Sequence, residues 1–268
     1  MHYFAGLFDA EGYVSLCPNG AFTIAIEMSN EEIPNLFKQH FQGSIYERKR
    51  DKRKKTWTWK INSISDQSLF FIDCIKPFSI IKVNQLNLLK DYLDQTRKHR
   101  KETRSVTCST IKDFKQPGPL QLHHILPRIE KPIEPHFFEW FAGFIDGDGN
   151  FVCNEYIDNR NGGKYFSHQI SIANIFLESI SHINDRIPGC ISKLNRTKNL
   201  LYKWTCNRNA EKFLCDNTYS FLRLKKTQCK LFMEFLEFPE KIRNIPYSIE
   251  DRDRMYEIIK EIKHLNSL

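Results

Sequence analysis

Phe4-Ala-Gly-Leu-Phe-Asp-Ala-Glu-Gly12 and Phe141-Ala-Gly-Phe-Ile-Asp-Gly-Asp-Gly149 match position by position, 137 residues apart. Each reads as the end of a helix that stops at a glycine, with Gly12 and Gly149 expected in the left-handed conformation that closes many helices. The acids just before those glycines are unusual. Glu11 and Asp148 stand in the last helical turn, where the negative end of the helix dipole disfavours them. The same misplacement at the same register in both copies calls for a positive partner, most simply a metal ion. Gly6 and Ala10 are four apart, as are Gly143 and Gly147. Each pair therefore shares one helix face. Small residues on such a face let two backbones approach closely. Packing the helices there brings Glu11 beside Asp148. Two close carboxylates repel unless protonated or bridged by a cation, and oxygen donors favour hard Mg²⁺ or Ca²⁺.

The chain between and after the copies is long enough to repeat a whole unit. Its 268 residues suffice for two modest domains, each with a core. With 41% apolar and 13% aromatic residues it reads as globular rather than disordered. No apolar run reaches bilayer length, so no membrane partner is expected. The sequence enters the first motif helix almost at once, and no secretory signal is read there. That is compatible with bacterial cytoplasm or with an organelle. Lys and Arg number 40 against 32 Asp and Glu, a net +8 that favours a polyanionic partner. Eight scattered cysteines without a CxxC pair argue against disulfides or a zinc ribbon, and for reduced thiols acting as small core residues. His123 and His124 have no nearby cysteines and read as linker residues.

In order, Tyr13–Cys17, a Pro18-Asn19-Gly20 turn and Ala21–Met28 read as a hairpin. Phe22, Ile24, Ile26 and Met28 alternate with Thr23, Ala25 and Glu27, so one face packs inward. Ser29 or Asn30 caps a helix to about Phe41, closed by Gly43. Strands near 44–50 and 56–62 flank Arg48-Lys-Arg-Asp-Lys-Arg-Lys-Lys55, seven basic residues in eight. Trp57, Trp59 and Ile61 read as inward-facing. Helices are expected at about 65–75 and 82–100. Residues 104–136, with their prolines, read as an extended linker between a first half at 1–103 and a second at 137–268. The second half repeats the order, with a longer hairpin turn at 159–163. The equivalent pairs Gly43/Gly189, Trp59/Trp204 and Phe78/Phe221 lie 146, 145 and 143 apart. Each half reads α-β-β-α-β-β-α, an α+β unit, and a final helix spans Ser248 to about Leu265.

The paired stretches resemble the motif that names the LAGLIDADG homing endonucleases, and two copies on one chain are similar to the monomeric, pseudo-symmetric branch of that family. The resemblance implies intron-encoded, sequence-specific cleavage of double-stranded DNA with staggered ends, dependent on Mg²⁺, with Ca²⁺ able to occupy the site without supporting cleavage. It implies that Glu11 and Asp148 hold the metal ions, helped by the carbonyls of Ala10 and Gly147. Metals between two carboxylates can activate water, stabilise the phosphate and assist the leaving oxygen. It also implies a lysine near each metal-bound water, at the start of the helix after the fourth strand. The shared Phe-x₃-Lys-x₂-Gln pattern identifies these as Lys82 and Lys225. The water-orienting polar residue at the end of the second strand is Asn174 in one half but Met28 in the other, so the halves are expected to be unequal. Asp9 and Asp146, two residues before the motif acids, read as structural hydrogen-bond partners.

Two such sheets, bare on the side away from their helices, would form a saddle for duplex DNA. The open faces would present Thr23, Glu27, Thr58 and Lys60 in one half, and Gln169, Ser171, Lys203 and Thr205 in the other. Hairpin tips would add Arg48, Arg50, Lys52, Lys54, Lys55, Arg160, Lys164, Arg196 and Lys198. Strands read base edges while loop cations hold phosphates. A one-residue slip would swap the faces. An RNA-binding splicing helper for its own intron would use the same basic surface, and a DNA-binding regulator the same scaffold. A regulator has no need of acids facing phosphate.

Overall fold

A computed structural model describes residues 1–49, 54–114, 129–158, 163–194, 200–238 and 247–267. Arg50, Lys52, Arg160, Arg196, Lys198, His123 and His124 lie outside these. The first half runs α1 (His2–Glu11), β1 (Gly12–Leu16), β2 (Phe22–Met28), α2 (Glu32–Phe41), β3 (Ser44–Arg48), β4 (Thr56–Ile61), α3 (Asp66–Ile75), α4 (Val83–Asp94) and α5 (Arg97–Asp113). The second runs α6 (Phe137–Asp148), β5 (Gly149–Asp158), β6 (Gly163–Asn174), α7 (Leu177–Arg186), β7 (Gly189–Leu194), β8 (Leu201–Cys206), α8 (Arg208–Thr218), α9 (Lys226–Glu237) and α10 (Ile249–Ser267). Each half holds one four-stranded antiparallel sheet, ordered β1-β2-β4-β3 and β5-β6-β8-β7. The α+β architecture and the internal repeat are as the sequence indicates. Among the described residues no helix is long and apolar enough to cross a membrane.

Several local expectations need correction. Gly12 and Gly149 are extended, with φ −76° and −79°, not left-handed. Their glycines answer a different need. The chain turns straight from helix into strand, and a Cβ at either position would overlap the helix one turn back, at Phe8 or Ile145. Gly43 is the true left-handed closure, with φ +85° after α2. Three helices follow each sheet, where the first half was expected to have two, at about 65–75 and 82–100. The expected helix over 82–100 breaks at Gln95, because Thr96 caps a new helix by accepting from the His99 amide at 3.3 Å. That helix, α5, occupies residues 104–113, which were expected to be extended linker. Arg97–Asp113 contains neither glycine nor proline, whereas the first proline of the linker is Pro117. α5 stays with the first half: Ile111 is fully buried, and the Cys108 thiol donates to the Leu16 carbonyl at 2.8 Å.

One apolar core runs through both halves. Phe37, Phe41, Trp59 and Phe71 fill the first unit, and Phe151, Trp204 and Phe232 the second. Trp57, expected inside, is only half-buried and lies under the Lys55 ammonium. All eight cysteines are free thiols and five are buried, while Cys17 and Cys190 are exposed.

Candidate active site

α1 and α6 pack directly on each other through their small residues. A Cβ at Gly6 would overlap the Trp140 carbonyl, one at Gly143 the Tyr3 carbonyl, and one at Gly147 the Ala10 methyl group. The backbones therefore touch along the whole shared face, and both helices end at the same place.

Two buried aspartates lock that register. Asp9 accepts from the Ser79 hydroxyl (2.5 Å), from the amides of Ile80 (2.7 Å) and Lys82 (3.1 Å), and from Trp140 Nε1 (3.0 Å). Asp146 accepts from the amides of Arg223 and Lys225, both at 2.8 Å, and from the Tyr3 hydroxyl at 2.7 Å. Each aspartate thus ties its own half's downstream loop to an aromatic donor on the other half's motif helix. Asp9 and Asp146 do the structural work expected of them, and they reach across the pseudo-twofold to do it.

The loops they hold deliver the lysines. Lys82 and Lys225 precede α4 and α9 as their cap residues. These are the second helices after each fourth strand, not the first as expected. The Lys82 ammonium sits 5.1 Å from the centre of the Phe176 ring, across the half boundary. Lys225 Nζ donates to the carbonyls of Ile145 (2.8 Å) and Gly147 (3.0 Å), so the Gly147 oxygen already has a cationic partner. Burial pushes the Lys225 ammonium below its ordinary range, against the pull of Asp146, Asp148 and Glu11.

Glu11 and Asp148 stand half-buried at the shared ends. Burial raises both carboxyls, and the Glu11 charge raises Asp148 further, to about 7. Lys225 and Lys82 pull both back. Asn174 Nδ2 donates to Asp148 Oδ2 at 2.6 Å. Met28, at the matching end of β2, offers Glu11 no such donor. Two desolvated, mutually repelling carboxylates form an oxygen donor pair that fits a hard divalent cation, which the Gly147 carbonyl would join on exchanging Lys225 Nζ for the ion.

Glu11 opens on a cleft of about 1000 Å³, which Tyr13, Glu27, Gly147, Asn150, Lys225 and Asn266 also line. The open sheet faces flank it. Glu27 pairs with Thr58, Ala25 with Lys60 and Ser15 with Thr23 in the first sheet. Ser171 pairs with Thr205 and Ala173 with Lys203 in the second. Thr23, Glu27, Thr58, Lys60, Gln169, Ser171, Lys203 and Thr205 therefore lie on the side away from the core, as expected. Several are already engaged. Thr56 Oγ1 donates to Glu27 at 2.9 Å, Lys60 Nζ lies 4.1 Å from the Tyr46 ring centre, and Lys203 Nζ donates to Gln169 at 3.1 Å. Arg48 is 4.0 Å from Glu27, and Lys55 pairs with Glu47 at 2.8 Å.

Lys164 belongs to the other face. It pairs with Glu155 at 3.0 Å and meets the Tyr256 hydroxyl at 3.3 Å on α10. The pleat decides this: Lys164 has the parity of Phe166 and Ile170, which point inward. Tyr13, Asn150 and Tyr46 were missed. Tyr13 and Asn150 each follow a motif glycine by one residue, so the same parity argument identifies both. The last turn of α10 was also missed. Asn266 donates to the Phe151 carbonyl at 2.8 Å, and Lys54 donates to the Ser267 carbonyl, so the turn reaches the cleft from the second half. No residue pattern in α10 signals that.

No family model matches the sequence, and no curated protein matches it. Solved structures do. The LAGLIDADG homing endonuclease I-SmaMI bound to cleaved DNA superposes with a TM-score of 0.65 over 98% of this chain and 94% of that one, at 17% identity. I-SmaMI bound to an uncleaved DNA target with calcium ions gives 0.65 over 99% and 97%, also at 17% identity. The LAGLIDADG meganuclease I-CpaMI bound to uncleaved DNA gives 0.63 over 99% and 97%, at 14%. The fold is that of the LAGLIDADG homing endonucleases.

Proposed function

We propose that this chain is a monomeric, intron-encoded homing endonuclease that cuts a specific double-stranded DNA site by metal-dependent phosphodiester hydrolysis, leaving staggered ends. One observation carries the reading: Glu11 and Asp148, from opposite halves, come close enough at the joined ends of the motif helices for one charge to raise the other carboxyl, beside a cleft that Glu11 lines. The basic run at 48–55 and the net +8 favour a phosphate backbone as partner. When bound between Glu11 and Asp148, Mg²⁺ supplies Lewis-acid stabilisation of the phosphate and a more acidic water.

The chain's own groups do the rest. The deprotonated carboxylates hold the charge that makes the site attractive to a cation. Asn174 fixes one oxygen of Asp148, which orients the other. Lys225, desolvated and near both acids, is suited to stabilise charge at the scissile phosphate or to hold a proton at the attacking water. Lys82 takes the corresponding place in the other half. Open-face side chains such as Gln169, Thr205 and Lys60 exchange their internal partners for base edges. The target sequence follows from strand register and DNA deformability together.

Selection of cleaved duplexes from a random library with Mg²⁺ tests the activity. Failure to cut any member, with tight binding of intron RNA instead, would overturn this reading in favour of a splicing helper. The Glu11→Gln/Asp148→Asn double variant tests the site. Binding is expected to persist and cutting to fall by at least about a thousandfold, the scale of losing metal-assisted catalysis. Undiminished cutting by that variant would refute the assignment.

A further inference from the structure

The two motif helices also begin side by side, at the end away from the cleft. His2 is the first residue of α1, His136 caps α6, and Glu139 lies in the first turn of α6. The His2 and His136 rings stack with centroids 4.1 Å apart and planes at 16°. His2 Nδ1 lies 3.5 Å from one Glu139 oxygen, and His136 Nδ1 lies 3.2 Å from the other. One donor atom from each residue falls within a 4.8 Å span. The ten residues of α1 separate His2 from Glu11 by about 14 Å at helical rise. The nuclease reading gives this cluster no role.

We propose that His2, His136 and Glu139 form a second metal site, for a borderline-soft divalent transition metal of the Zn²⁺ class, that clasps the two halves at the start of the motif helices. Two imidazoles and one carboxylate are a Zn²⁺ donor set with a position left for water. Hard Mg²⁺ would not choose it. The positive ends of two helix dipoles face the site and oppose any cation. Attraction by charge alone therefore fails here, and the nitrogen donors decide which ion binds. An i,i+3 His–Glu pair at a helix start is ordinary, and His136 with Glu139 alone would carry nothing. His2 changes this. It comes from the other half and brings its ring nitrogen to the carboxylate oxygen that His136 leaves. The side chains of His2, Glu139 and His136 are 21%, 30% and 57% exposed, so an ion can enter and the His136 ring has room to splay toward it. Because its donors come from both halves, the site exists only in the folded chain, and binding adds to stability.

The test uses tag-free full-length protein. One Zn²⁺ per chain is expected, with a Tm rise of about 4 °C at tenfold excess over Kd. Co²⁺ should give d–d bands without a thiolate charge-transfer band. His136→Ala and Glu139→Gln should each abolish the Zn²⁺ shift but keep the response to Mg²⁺. Glu11→Gln/Asp148→Asn should do the reverse, which separates failure here from failure of the nuclease reading. A Zn²⁺ shift that survives His136→Ala overturns the proposal. So does a thiolate band, which would assign the ion to exposed Cys17 or Cys190.

Discussion

Asp148 and Asp146 are two residues apart on one helix, yet they meet opposite fates. Asp146 is buried under four donors, while Asp148 has one neutral donor and a second carboxylate for company. Their assignments were legible from position alone, because residues two apart on a helix point in different directions. The donors around Asp146 were not legible, since three come from a loop 77 to 79 residues away and the fourth, Tyr3, from the other half's motif helix. The pH behaviour of Asp148 follows from its surroundings. Its carboxyl is raised from 3.8 to about 7, first by burial and then by Glu11. Between those values the folded chain keeps a proton that the unfolded chain has released, so stability falls as pH rises through the window. The full cost, present above pH 7, is up to about 4 kcal/mol. His182, held near 4 by burial and by Arg186, has the opposite slope below its ordinary value. The comparison must therefore be with Asp148→Asn, which removes one effect and leaves the other. The Tm advantage of that variant over the parent in EDTA should grow from about pH 5 to about pH 8. Saturating Ca²⁺ should shrink it at pH 8. A pH-independent difference would mean that Asp148 is not strained by its neighbours.

The contact between α1 and α6 sets a sharper physical conflict. Glycine within a helix costs roughly 0.5–1 kcal/mol relative to alanine, so Gly143→Ala should stabilise an isolated α6. In the folded chain the added Cβ would overlap the Tyr3 carbonyl, which is backbone and cannot rotate away. Overpacking of this kind costs about 1–3 kcal/mol, and more when nothing yields. Packing should win: Gly143→Ala is expected to lose at least about 2 kcal/mol net, read as a Tm drop of about 5 °C or more. Gly6→Ala meets the Trp140 carbonyl and should behave alike. A neutral or raised Tm for both would mean that the helices do not touch as described. This interface was readable in advance because small residues four apart have few other uses. The sheets were readable because strict alternation fixed their faces. The break at Thr96 and the helical course of residues 104–113 were not. Nothing in the composition of Arg97–Asp113 says whether it continues α4, starts afresh or joins the linker. The Thr96 cap and the packing of Ile111 decide it.

The whole molecule is a repeat that has stopped being symmetric, and the differences collect at the site. Glu11 answers Asp148, Met28 answers Asn174, and the hairpin between β5 and β6 is longer than its counterpart. α10 reaches the cleft from the second half only. Part of this was visible by laying one half on the other, since each substitution stands at a matched register. The reach of α10 was invisible because its counterpart α5, which packs on β1 as α10 packs on β5, read as the end of a longer helix and the start of a linker. The functional consequence can be put as a rate. A hydrogen bond to a charged group is worth about 1.5–3 kcal/mol. If Asn174 aligns Asp148 for one strand and Met28 leaves Glu11 unaligned for the other, the two strands should be cut at rates about ten- to a hundredfold apart. Supercoiled plasmid bearing the target should then pass through a nicked circle before becoming linear, with end labels assigning the nick to one strand. Met28→Gln should reduce accumulation of that intermediate. Asn174→Met should slow the fast strand toward the slow one, lowering the overall rate without changing Kd for DNA. Direct conversion to linear plasmid by the parent protein would show that the broken symmetry of Met28 and Asn174 has no kinetic meaning.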